Sequence, residues 1–361
     1  MDSFKKFVIS IIDELNIKSR HSKESRAFLV SLASGCFAFI TSLIVLLWTG
    51  PVKILENNDI SLGTLTLAIS GISSLIIFST VIFKNETKDL HKPRFRKYLT
   101  SASNSTIIAF IYTAIGFLLT IMAFYLFKES FKGMELSPIV ASLIVTTIVA
   151  IEGYFIYLIA TSITTLALSG ALATFMLIGI FTSMLTAENP IWWQMHFSYL
   201  GEGSGFSSYA FNLTLIIAGM VIISLASFMK RDFIKLGQIN PEHSITKIPV
   251  LYISLTVIGV LLACVGLFPF DKFSLVHRIA AYGMVLIFVG ITLCIPYLTP
   301  TLSKTFFAFS YLITGMLLIL FVLTIPLEYI SLTVYEFIAF MSVFLWLIIF
   351  VRQIALQAKK Q

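Results

Sequence analysis

Ten separate stretches of roughly 20 mostly apolar residues run the length of this chain, a pattern with no place in a water-soluble fold. They are Ala27–Trp48, Ile60–Phe83, Thr106–Phe127, Pro138–Ile159, Leu168–Ala187, Ala210–Met229, Ile248–Leu267, Leu275–Tyr297, Thr305–Ile325 and Leu332–Val351. A helix needs about 20 such residues to cross a hydrocarbon core about 30 Å thick. In lipid, backbone polar groups have to be satisfied inside helices or a closed barrel. Continuous runs, rather than ten-residue alternation, select helices. The expected fold is therefore all-α: a polytopic transmembrane helix bundle of about ten spans. Composition agrees, since charged residues make up 12% of the chain against about 25% in soluble domains.

The net charge of +7 is a matter of topology rather than of nucleic-acid binding. Twenty of the 25 Lys and Arg fall in 1–26, 84–97, 230–247, at Lys304 and in 352–361. If both termini are cytoplasmic, all twenty lie on that side. Lys53, Lys128, Lys132 and Lys272 face the other, and Arg278 sits within a span. The positive-inside rule sets that orientation. The chain divides into a cytoplasmic amphipathic helix and basic tether (1–26), the bundle (27–351) and a cytoplasmic tail (352–361).

At the amino terminus Phe4, Phe7, Val8, Ile11, Ile12 and Leu15 recur at helical spacing between charged residues. That predicts a helix lying on the leaflet, not a cleavable signal peptide. The basic loops 84–104 and 230–247 are explained by topology and by attraction to anionic headgroups. Neither contains a glycine-rich phosphate loop. Cys36, Cys264 and Cys294 fall inside spans and read as small buried hydrophobes.

The outer face carries the polar chemistry. Between the fifth and sixth spans, Asn189 and Pro190 predict the start of a short helix at headgroup level. Trp192 and Trp193 would anchor it, and Gly201 would end it in the left-handed conformation. A second outer segment, 268–278, carries Asp271 and His277, and a third, 326–331, carries Glu328. If these loops meet, His196, Glu202, Asp271, His277 and Glu328 share one outward-facing pocket. Imidazoles and carboxylates together suit general acid–base work or a divalent metal, although no spacing such as HExxH supports a metal.

Ionisable residues inside spans are functional candidates. Arg278 and Glu336 enter from the outer side at matching depth, which suggests an ion pair; alternatively Arg278 receives an anionic headgroup. Glu152 is deeper, with no cation at its level, so Ser, Thr or backbone groups are its expected partners. Gly153 beside it allows a close helix contact, as do Ser169, Gly170, Ala171, Ala173, Gly179 and Ser183 in the fifth span. Asn212 is expected to hydrogen-bond across a helix interface.

The run from Ser183 to Gly201, followed by Phe211-Asn212-Leu213-Thr214-Leu215-Ile216 and Gly219, resembles a bacterial membrane family, the domain-of-unknown-function family 998. Phe268-Pro269-Phe270-Asp271 with His277 fits the same pattern, so the resemblance covers about 165–351. Ser198, Gly201, Phe211 and Asn212 are also distantly similar to the Frag1/DRAM/Sfk1 membrane proteins, some linked to lipid remodelling. The first resemblance implies a bacterial cytoplasmic membrane and no defined activity.

The leading expectation is a protein that binds or moves a lipid or amphipathic small molecule through the outward pocket, with no cofactor, metal or nucleic-acid partner. Its candidate ligand contacts are Trp192, Trp193, His196, Asn212, Arg278 and Glu336. A rival is an outer-leaflet, metal-assisted lipid-modifying enzyme using His196, His277, Asp271 and Glu202. The third reading is a structural or regulatory subunit. Nothing in the sequence sets an oligomeric state.

Overall fold

The computed structural model describes residues 23–55, 60–88, 95–239 and 248–360. The expected surface helix and most of its tether lie outside these residues, as do 89–94 and 240–247 of the two basic loops. Ten α-helices follow one another among the described residues: α1 (Lys23–Thr49), α2 (Leu62–Lys88), α3 (Phe95–Ser130), α4 (Pro138–Thr161), α5 (Thr165–Leu185), α6 (Phe206–Ile239), α7 (Ile248–Leu267), α8 (Phe270–Leu298), α9 (Lys304–Thr324) and α10 (Leu332–Lys360). Each overlaps one of the ten apolar stretches. Nine are long and apolar enough to cross a membrane, and in α3 the described apolar stretch is Tyr112–Lys128. The protein is an all-α, multi-pass bundle of the kind that membranes hold.

Local chemistry explains where several helices begin. Pro138 occupies the first turn of α4, where its missing N–H would have no partner in any case. Thr164 accepts the Ala167 N–H at 3.1 Å and Ser303 that of Phe306 at 3.2 Å, satisfying N-terminal donors of α5 and α9. Outside the helices, Val52–Lys53 (β1) pairs antiparallel with Glu135–Leu136 (β2). At its far end α10 continues to Lys360, so helix takes up most of the tail expected at 352–361.

Connections expected on one side of the membrane meet at one end of the bundle. At one end β1 pairs with β2, and the α5–α6 connection touches α8 and α10. At the other, Thr165 donates to Asp232 at 2.7 Å and the Gln357 amide to the Thr301 carbonyl at 3.0 Å. Alternating crossings produce this sorting.

Small residues bring the helices close, as packing in lipid requires. A side chain at Gly153 would collide with Ser34, and one at Gly35 would stand 3.1 Å from Ala150 Cβ, so α1 lies hard against α4. Gly179 makes room for Thr214 between α5 and α6, and Gly219 meets the Gly259 backbone between α6 and α7. Gly170, by contrast, faces open space. Thr120 donates to Glu152 Oε1 at 2.9 Å, so a hydroxyl from α3 partners the half-buried acid of α4. Cys36 and Cys294 differ from expectation: both are exposed on the outside of the bundle, and Cys264 is half-buried. Their spans put apolar side chains outward as well as inward, so apolar character alone does not tell the two faces apart.

Candidate functional site

The site is built on the α5–α6 connection. Asn189 Oδ1 accepts the Ile191 N–H at 3.0 Å, closing a turn through its side chain rather than capping an α-helix. Two short 3₁₀ helices follow, Trp192–Gln194 and Phe197–Gly201. Met195 breaks the run with a non-helical backbone (ψ −96°) and His196 is extended. One continuous helix was expected, and the break corrects that. Gly201 is not left-handed; Gly203 is, at φ 77°. What restricts position 201 is space, because a Cβ there would lie 2.5 Å from Asn212 Oδ1 and 2.9 Å from the Phe211 ring.

Hydroxyls and one amide fasten this segment to α6, and α6 to α5. Ser183 and Ser207 share a hydrogen bond of 2.9 Å, and Ser208 donates to the Gly201 carbonyl at 2.8 Å. Asn212 donates to the same carbonyl, also at 2.8 Å. It therefore ties α6 to its own preceding loop and not to a neighbouring span. A single residue type at a span entrance carries no sign of which partner it will find.

Two of the three segments that the pocket reading required, 188–203 and 268–278, meet, and the start of α10 joins them. Asp271 Oδ2 accepts the Gly203 N–H at 3.3 Å. A break at Phe273, where φ and ψ leave the helical region, separates the first turn of α8 from the rest and carries Asp271 toward the loop. His277 is 4% exposed; its Nδ1 lies 2.9 Å from the Phe268 carbonyl and its Nε2 3.0 Å from Ser198 Oγ. Glu336 Oε2 accepts the Phe197 N–H at 2.8 Å.

His196 Nε2 stands 3.2 Å from Glu202 Oε1. Burial pushes His196 below the usual imidazole range, helped by the nearby His277. Burial pushes Glu202 up, helped by Asp271. These are the shifts of two groups losing water, opposite to those of a stable ion pair. At neutral pH His196 is a neutral imidazole, so its contact with Glu202 is a hydrogen bond rather than an ion pair.

Of the five residues expected to share the pocket, His196, Glu202, Asp271 and His277 come together. Glu328 does not: it is exposed at a left-handed turn with φ 49°. Among the described residues Arg278 and Glu336 form no ion pair. Arg278 is exposed with its guanidinium 5.8 Å from the centre of the Phe270 ring, whereas Glu336 turns inward to the loop backbone. Matching depth is not matching azimuth: residues at one level on two helices still point around different arcs. Trp192 is half-buried at the cleft described next, and Trp193 is 54% exposed.

Two spaces flank the Phe197–Gly201 segment. One is a cleft of about 480 Å³ whose walls include Glu188, Asn189, Trp192, Tyr199, Glu202 and Asp271, within the usual size of a small-molecule site. The other is an apolar groove among α6, α7, α8, α9 and α10, headed by Phe197, Ser198 and Glu336. Sequence reasoning gave Glu188 and Tyr199 no role and placed Ser198 in a resemblance without a partner. Ser198 and His277 are 79 positions apart, with no spacing rule to link them. No group of three His, Cys, Asp or Glu among the described residues is placed to hold a metal ion. Comparison with protein-family models, with curated proteins and with solved structures finds no match.

Proposed function

We propose that this protein binds, and in that way retains or moves, a lipid or amphipathic small molecule at its outer face. The observation that carries this reading is the shared wall. Tyr199 and Leu200 line the polar cleft, while Phe197 and Ser198, in the same short helix, head the apolar groove. An amphipathic ligand has one end suited to each. Three carboxylates, Glu188, Glu202 and Asp271, line the cleft, and no Lys or Arg is among its lining residues. That charge favours a cationic or hydroxyl-rich headgroup, with Trp192 and Tyr199 offering ring faces to a cation. The anionic headgroup first considered for Arg278 fits less well, since Arg278 lies outside this lining.

The setting proposed is a bacterial cytoplasmic membrane, both chain ends cytoplasmic, as the Lys and Arg distribution supports. Membership in family 998 is proposed on the same footing, because the residues that carry the likeness are those that build this face. Native mass spectrometry of gently extracted protein tests the binding. A lipid-sized ligand should stay with the native chain and be lost from the Glu202→Gln/Asp271→Asn variant. A native chain that carries no ligand refutes the proposal.

A further inference from the structure

Ser198 meets His277 in an arrangement suited to chemistry. The Phe268 carbonyl oxygen, 2.9 Å from Nδ1, can only accept, so Nδ1 carries the ring proton and Nε2 of the neutral imidazole is an acceptor. The Ser198 hydroxyl, 3.0 Å away, donates to it. A hydroxyl, a base within hydrogen-bond reach and a third group that orients the base are the parts of an activated nucleophile. Burial of His277, 4% exposed, limits competition from water.

Ser198 is also a lining residue at the head of the apolar groove, whose walls include Phe211, Leu215, Met284, Phe340 and Leu347. From Glu336 to Leu347, α10 descends eleven residues, about 17 Å at 1.5 Å per residue. One leaflet of a core about 30 Å thick has that depth. A chain filling the groove would leave its ester carbonyl at the level of Ser198. Tyr282 and Tyr335 also line the groove and are its available hydroxyl donors to an oxyanion.

We propose that Ser198 and His277 form a catalytic dyad that hydrolyses the carboxylic ester of a long-chain acyl lipid seated in this groove. This rests on the lipid-binding reading above. Ser198 Oγ attacks the carbonyl carbon while His277 Nε2 takes its proton. The bond from that carbon to the alcohol oxygen breaks, and the imidazolium returns the proton to the departing alcohol. Water then attacks the acyl-serine carbon and gives a proton to Nε2. The bond between Ser198 Oγ and the acyl carbon breaks, the serine recovers its hydrogen, and a free fatty acid leaves.

The test uses the full chain in vesicles of phosphatidylethanolamine and phosphatidylglycerol with radiolabelled acyl chains, and separately a fluorophosphonate probe mapped by peptide mass spectrometry. The probe should attach at Ser198, and fatty-acid release should fall at least about 100-fold in Ser198→Ala and in His277→Gln. A native chain that neither takes the probe at Ser198 nor releases fatty acid overturns the dyad, as does unchanged release from Ser198→Ala. Native mass spectrometry separates the two proposals. Phospholipid retained without probe attachment or turnover removes the chemistry and leaves the binding; phospholipid absent from native and variant chains removes both.

Discussion

Replacing Glu336 with alanine should destabilise the protein by about 2 kcal/mol, for reasons unrelated to Arg278. The Glu336 carboxylate accepts the Phe197 N–H at 2.8 Å, and Phe197 is 4% exposed. Removing the acceptor strands a buried donor, which costs about 1–3 kcal/mol. Glu336→Gln keeps an acceptor oxygen and should cost under about 1 kcal/mol. Arg278 is exposed, and its described contact is a ring face 5.8 Å away, worth about 0.5 kcal/mol at such a site. The two losses should therefore add in the Glu336→Ala/Arg278→Ala chain, with a coupling below about 0.5 kcal/mol. Unfolding by SDS titration from mixed micelles, followed by tryptophan fluorescence, supplies all four free energies. A buried ion pair would instead make Arg278→Ala cost about 3–5 kcal/mol. A coupling above about 1 kcal/mol refutes the geometry argued here.

Gly219→Val should wedge apart α6 and α7, because its Cβ meets the Gly259 carbonyl and stands 2.9 Å from Ala263 Cβ; a loss of at least about 1–3 kcal/mol in the same titration is expected, whereas Gly170→Ala at an open position should change little. The pH dependence of stability should betray Glu202. His196 lies below its ordinary 6.5, so from that lowered value up to 6.5 the unfolded chain binds more protons and stability rises with pH. Glu202 lies above 4.5, so the folded chain keeps the extra proton and stability falls as pH climbs from 4.5 to the raised value. Glu202→Gln removes the falling part, and thermal midpoints between pH 4.5 and 6.5 should climb more steeply than in the native chain; an equal or shallower climb contradicts the assignment. Finally, with the three native cysteines replaced, Ser204→Cys in intact cells should react with a membrane-impermeant maleimide. A cysteine introduced in 84–104 should not, and the reverse pattern turns the topology over.

Hydropathy made the ten helices legible because a span must be apolar along its whole length whatever it touches. The α5–α6 connection was legible as a polar segment between spans for a similar reason: Asn189, Pro190, paired Trp and several Gly are residues that bound helices and sit at interfaces. Ser198 was invisible as a partner, since a serine two positions after His196 looks like any loop hydroxyl until α8 brings His277 against it. The Arg278–Glu336 pairing failed because sequence reports depth along a helix and not rotation about its axis. Asn212 was recognised as a hydrogen-bonding group, yet its partner was the loop behind it.

From the sequence alone came the membrane-spanning class and the positions of the ten helices, consequences of a transfer free energy that each segment meets by itself. The meeting of the α5–α6 connection with the start of α8, the inward turn of Glu336, the groove beneath Ser198 and the contact of Ser198 with His277 were decided by tertiary packing. Those depend on which face of each helix meets which neighbour, and in a bundle surrounded by lipid both faces are apolar. Steric fit at small residues such as Gly153, Gly179 and Gly219 chooses between them.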